Sequence, residues 1–114
     1  MGDRQRLSRL ELLVLSATQR LGARAFGTRI HGDVEERIGR KISLGSVYGA
    51  LGRLEARGLI RFRQGAALSR TAGRSRRLAE LTAAGWSALL EAREELARIL
   101  GLVRNVISSA NPAN

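Results

Sequence analysis

SLGSVYGALGRLEARGLI, residues Ser43 to Ile60, reads as a capped helix that stops sharply and runs into a strand. Ser43 carries a short side-chain acceptor of the kind that caps a helix N-terminus. Leu44, Val47, Leu51 and Leu54 follow in steps of three and four, which makes one apolar stripe. The helix is expected to extend to about Arg57, where Gly58 terminates it. From Leu59 to Gln64 apolar and polar residues alternate, the period of a half-buried strand. A loop rich in Gly, Ser and Arg covers Gly65 to Arg76, and Arg77 to Leu81 reads as the returning strand. Thr82 then caps a long helix expected to reach about Val106, followed by a tail to Asn114.

Two helices precede this block. Ser8 is an N-cap candidate, followed by Leu10, Leu13, Val14, Ala17 and Leu21 at helical spacing, with Gly22 as the stop. A second helix runs from about Gly27 to Ile38, with Ile30, Val34 and Ile38 on one face and Gly39 as its C-cap. Three helices, a two-stranded hairpin and a last helix is the order of a winged helix-turn-helix. The fold class is therefore mainly α with a small β-hairpin, plus a long C-terminal helix. The third helix is the one such a fold lays in the DNA major groove, and the hairpin is its wing. The expected division is 1–81 for the DNA-binding domain, 82–107 for a dimerisation helix and 108–114 for a flexible tail.

Composition supports the same reading. The chain has 114 residues and a formal net charge of +10, from 20 basic and 10 acidic residues. All the basic residues but Lys41 are Arg, whose planar fork matches phosphate oxygens. A genome biased towards Arg codons explains Arg over Lys, but not the excess over acids. Residues 61–77 hold six arginines and no acid, so the charge is concentrated on the hairpin. There is no Cys, which excludes a disulfide framework and a thiolate metal site and suits a reducing cytoplasm. The one His, His31, cannot build a His cluster within a chain and reads as an ordinary surface or core residue. No apolar run is long enough for a membrane span. No phosphate-binding GxxxxGK[ST] loop, GxSxG elbow or metal-type carboxylate pair occurs, so neither enzyme chemistry nor a cofactor is expected.

At the level of motifs the sequence resembles the PadR-like transcriptional regulators. The resemblance rests on the Ser43–Ile60 block, with Tyr48 followed by L-x-R-L-E-x-x-G-L-I. LSRLELLVLSATQR with Phe26–Gly27 upstream, and GRSRRLAELTAAG downstream, extend it over about residues 7–103. Leu78–Ala79 stand where the family usually has an aromatic pair, and Gly49 where Pro or Thr often follows the Tyr. The length resembles the subgroup with a single C-terminal helix. The resemblance implies a homodimeric, sequence-specific DNA-binding regulator acting as a repressor. It also implies that Ser43, Ser46, Tyr48 and the first-turn amides around Gly45 hold phosphates, and that Arg53 reaches the DNA backbone. Similar small proteins bind flat hydrophobic compounds between protomers, so a small hydrophobic effector is a candidate partner.

Each assignment has a plainer counterpart. Ser43 serves equally as a simple cap, Tyr48 as a packing residue, and Arg53 as the partner of Glu55 or Glu11. Gly49 and Gly52 weaken a helix by ~1 kcal/mol each relative to Ala. They either reflect a loose helix or let backbone approach DNA closely. The groove face then offers little beyond Ser46 to read base edges, so DNA shape must carry much of the specificity. Arg61, Arg63, Arg70, Arg74, Arg76 and Arg77 form the wing set, for phosphate contact or as a solvated basic loop.

On the last helix Leu89, Ala92, Leu96, Ile99, Val103 and Val106 make one stripe. Trp86, Leu90, Ala97, Leu100 and Ile107 widen it. A helix this apolar must bury two faces, one on its own domain and one on a partner helix. Trp86 sits in the first turn, where hinge packing is the plainer reading and a ligand pocket the sharper one. The alternative for the whole chain is a basic winged-helix module that binds RNA or a protein partner without operator specificity.

Overall fold

The structure, a computed structural model, describes residues 6–64 and 77–102. Helix α1 spans Arg9–Leu21 and opens on a capping box. The Ser8 hydroxyl accepts from the Glu11 backbone N–H at 3.0 Å, and the Glu11 carboxylate accepts from the Ser8 N–H at 3.0 Å. Gly22 ends α1, and a 3₁₀ turn over Gly22–Arg24 leads to helix α2, Gly27–Ile38. Gly39 closes α2 in the left-handed conformation at φ 72°, its N–H on the Glu35 carbonyl. Helix α3 spans Leu44–Ala56 with Ser43 as its side-chain cap.

Strands β1, Ile60–Gln64, and β2, Arg77–Leu81, pair antiparallel, with Ile60 opposite Leu81 and Gln64 opposite Arg77. A one-residue bridge between Phe26 and Leu78, with Ala79 N–H donating to the Ala25 carbonyl at 2.9 Å, adds a short third edge. Helix α4, Ala83–Leu100, starts from the cap Thr82, whose hydroxyl accepts from Gly85 N–H at 3.0 Å. The architecture is thus the expected mostly helical one with a two-stranded hairpin.

The core sits where α1, α2 and α3 meet. Val14, Leu15, Ile30, Val34, Val47, Leu51 and Leu54 are fully buried there, and Ile60, Ala79 and Leu89 close it from the hairpin and α4. The stripes expected on the first three helices pack in part: α1 also buries Leu15 and Thr18, which its stripe omitted, and Leu44 of the α3 stripe is 40% exposed. Burial of each large aliphatic side chain contributes about 1.5–3 kcal/mol. The junction between α3, β1 and α4 is tight. Thr82 donates its hydroxyl to the Gly58 carbonyl at 2.6 Å and its N–H to the Leu59 carbonyl at 3.1 Å. Gly85 packs so closely on the Leu59 carbonyl that a Cβ there would overlap the oxygen.

One boundary differs from the sequence reading. Helix α4 ends at Leu100, because Gly101 takes the left-handed conformation at φ 81° and its N–H caps the last turn. The expected continuation to Val106, with Val103 and Val106, lies outside the described residues. Of the described helices, none is long and apolar enough to cross a membrane.

Candidate nucleic-acid interface

Helix α3 buries Val47, Ala50, Leu51 and Leu54 and therefore turns the opposite side to solvent. At 100° per residue the centre of that outer side is Gly45, Gly49, Gly52 and Ala56. The outer ridge is backbone with almost no side chain. A Cβ at Gly52 would meet nothing within 4 Å, and one at Gly49 would meet only Arg53 Nη1 at 3.5 Å. No packing within the protomer therefore requires these glycines. Ser46 and Arg53 flank the ridge on one side, and Tyr48 on the other, all exposed.

The flanking side chains are held in different ways. Ser43 Oγ accepts from the Ser46 N–H at 3.0 Å and donates to Ser46 Oγ at 2.8 Å. Ser43 is thus occupied as a cap, while the exposed Ser46 hydroxyl retains a proton to donate. The Tyr48 ring lies against Gly27, where a Cβ would overlap the phenol. Gly27 begins α2, so Tyr48 is wedged between the two helix N-termini and still half exposed. Thr28 and Arg29, in the first turn of α2, are exposed beside it. Sequence reasoning did not single out these two; the adjacent Phe26–Gly27 pair was the available signal.

Arg53, though half exposed, is engaged within the protomer. Its Nε donates to Glu11 Oε2 at 2.9 Å, and Arg57 Nη1 donates to Glu11 Oε1 at 3.1 Å. Glu11 is nearly buried at 5% exposure, so one carboxylate ties the start of α1 to the last turn of α3. Burial pushes the Glu11 pKa up. The Ser8 N–H and the Arg53 and Arg57 guanidiniums outweigh it and hold the carboxyl below its ordinary 4.5. The pairing of Arg53 with Glu11 is the plainer of the two readings of that residue.

His31 also has a local role. Its Nε2 lies 2.7 Å from the Ile42 carbonyl oxygen and 3.3 Å from the Glu35 carboxylate. Glu35 in turn accepts the Ile42 N–H at 3.0 Å. Both neighbours of Nε2 are acceptors, which places the proton there. The pair fastens the turn between α2 and α3 and so fixes how α3 is presented. Arg20 and Asp33 form an ion pair that links α1 to α2.

On the hairpin, Arg61, Arg63 and Arg77 are exposed. Arg70, Arg74 and Arg76, the remaining wing arginines, lie outside the described residues. The Arg77 guanidinium stacks over the Phe62 ring, 4.2 Å from its centroid.

Helix α4 divides its apolar residues differently from the expected seam. Leu89 is 6% exposed and spent on the protomer's own core, because it lies one turn beyond Gly85 on the packed side. Ala92 is half-buried, whereas Leu96 and Ile99 are exposed, Ile99 at 70%. Trp86, Leu90, Leu100 and Leu102 are exposed as well. A groove of about 970 Å³ runs between α4 and the start of α1, with Leu7, Leu12, Ala88, Ala92, Leu96 and Ile99 among its walls.

A three-helix core that presents one bare helix face beside an arginine-bearing hairpin is a winged helix-turn-helix of the DNA-binding class. Residues 14–91 match the Transcriptional regulator PadR-like family, and the chain belongs to that family. Membership makes it a DNA-binding regulator of transcription. Among solved structures it is similar to a PadR family transcription regulator from Clostridium difficile, at 25% identity and a TM-score of 0.63. That match covers 88% of this chain and 98% of the other. It is also similar in fold to RosR of H. salinarum, at 20% identity and a TM-score of 0.63 over 95% of this chain and 96% of the other. No curated protein matches the sequence.

Proposed function

We propose that the protein is a cytoplasmic homodimeric repressor that seats two α3 helices on a pseudo-palindromic operator. The observation that carries the reading is the bare outer ridge of α3, Gly45–Gly49–Gly52–Ala56, flanked by exposed Ser46 and Tyr48. A helix without protruding side chains enters a groove deeply and brings its backbone to the duplex. Ser46 donates to a phosphate or base edge and Tyr48 to a phosphate. Ser43 acts by capping and Gly45 by leaving the first-turn amides open. Arg53 contributes charge from its place on Glu11. Few base-reading groups remain, so selectivity rests on duplex shape and on the hairpin arginines Arg63, Arg74, Arg76 and Arg77.

The dimer forms along α4 through Leu96 and Ile99, with Ala92 at its edge; the other expected seam residues, Val103 and Val106, lie outside the described residues. An exposed apolar surface of this kind on a charged protein calls for a covering partner. A second copy supplies matching apolar residues and the two-fold symmetry a palindrome requires. Trp86, exposed near the start of α4, is the candidate wall for a small hydrophobic effector. A dimer lying across a promoter blocks other proteins sterically, which supports repression.

Selection of bound sequences from a random duplex pool tests the reading. A palindromic motif is expected, with half-sites about one helical turn apart. Binding without sequence enrichment would overturn operator recognition and favour a basic module for RNA or protein.

A further inference from the structure

Between Glu55 and Glu91 the sequence holds seven arginines and a single acid, Glu80. Glu80 stands directly opposite Arg61 in the hairpin register, and Arg63 lies one pleat along on the same face. Its carboxylate is 3.1 Å from Arg63 Nη1 and 3.5 Å from Arg61 Nε. The arginine side chains are 62% and 66% exposed, against 25% for Glu80. One partly covered carboxylate is therefore shared by two exposed guanidiniums. Arg77 lies on the other face, over Phe62, outside this arrangement.

We propose that Glu80 limits the affinity of the hairpin for DNA by competing with phosphate for Arg61 and Arg63. A guanidinium that moves from a carboxylate to a phosphate exchanges one charge-assisted hydrogen bond for another, so its net gain is small. An arginine with no acid beside it gains the whole contact and releases the counterion. In a chain of net charge +10, unrestrained hairpin arginines would hold duplex of any sequence. Glu80 lowers that general affinity. The inference rests on the hairpin facing DNA.

The test measures equilibrium affinity for a random-sequence duplex across a salt series. The variants are Glu80→Gln, the double variant Arg61→Gln with Arg63→Gln, and the triple combination. Exposed ion pairs of this kind restrain affinity by roughly two- to tenfold per protomer. Glu80→Gln is therefore expected to tighten binding by about that factor and to steepen the salt dependence. In the background lacking both arginines the gain should disappear, as a double-mutant cycle requires for a direct interaction. Glu80→Thr, which also suits a strand, should give the same sign and guards against a fault peculiar to Gln. Weaker or unchanged binding by both Glu80 variants overturns the proposal. A gain that survives loss of both arginines also overturns it, since only the added net charge would then be acting. If the triple variant binds like Glu80→Gln alone, so that even the released arginines add nothing, it is the hairpin's placement on DNA that fails, a separate result.

Discussion

Replacing Gly52 by Ala should pull stability and DNA binding in opposite directions. Glycine within a helix is roughly 0.5–1 kcal/mol less favourable than alanine, because it has more backbone freedom to lose on folding. At Gly52 the new methyl meets nothing within 4 Å, so the full gain should appear. For a domain of this size it corresponds to a rise in melting temperature of about 2–8 °C. Gly49→Ala adds a similar increment, since its nearest neighbour, Arg53 Nη1 at 3.5 Å, is at ordinary contact distance. Both methyls stand on the outer ridge of α3. If backbone there touches duplex, they overfill a close-packed contact, which costs about 1–3 kcal/mol, or about 5- to 150-fold in affinity. Thermal unfolding at one fixed protein concentration, paired with fluorescence anisotropy on the selected operator, reads both effects. A raised melting temperature with unchanged DNA affinity would refute the placement of the ridge against DNA. A lowered melting temperature would refute the packing argument itself.

Three further outcomes are expected. Leu96→Asp with Ile99→Asp puts charges on the exposed apolar face of α4, where burial without a partner is costly; sedimentation should show a folded monomer, and a persisting dimer would move the interface elsewhere. Glu11 is held below its ordinary 4.5, so its ion pairs stabilise the fold fully above that pH and are lost as pH falls through the lowered value. Acid unfolding of the Glu11→Gln variant should accordingly lack part of the parent's pH dependence below about pH 4.5, with an overall loss of about 1–3 kcal/mol; identical acid profiles would remove Glu11 as a stabilising carboxylate. Gly27→Ala should displace the half-exposed Tyr48 phenol, the far end of its side chain, at a cost below that of overpacking a closed core, about 1 kcal/mol or less. The same change in a Tyr48→Ala background should cost far less, and equal losses in both backgrounds would show that the two residues do not compete for space.

Most of the architecture follows from short-range signals. Ser8, Ser43 and Thr82 each cap the helix that the apolar spacing announces, and the strands alternate over the expected residues. What the sequence did not disclose depends on pairing across distance. Glu11 and Arg53 are 42 positions apart, and the fold alone decides that Glu11, rather than Glu55 or solvent, receives the guanidinium. Leu89 and Leu96 look equivalent as members of one stripe. They differ only because α4 is covered near Gly85 and projects beyond the core further on. The break of α4 at Gly101 was legible in principle from that single glycine, while the stretch through Val103 and Val106 lies outside the described residues. The bare ridge of α3 was visible as Gly45, Gly49 and Gly52, and the structure adds that none of the three is required by a neighbour within the protomer.

The junction at Thr82 makes a rigid lever. Two hydrogen bonds from one residue fasten the foot of α4 to Gly58 and Leu59, just past the end of α3, and Gly85 removes the space for slippage. Eighteen residues of α4 then form an arm of about 27 Å. With two protomers joined along such arms, a tilt of only ~5° at the seam would displace each far end by roughly 2 Å, because the joint at the foot does not absorb it. Half-sites about 34 Å apart in DNA tolerate little such error. A molecule wedged between the arms would therefore be felt at the grooves without touching α3. Distances between spin labels on the two α3 helices, recorded with and without such a molecule, should shift by up to twice that amount; a constant distance would show that the joint yields.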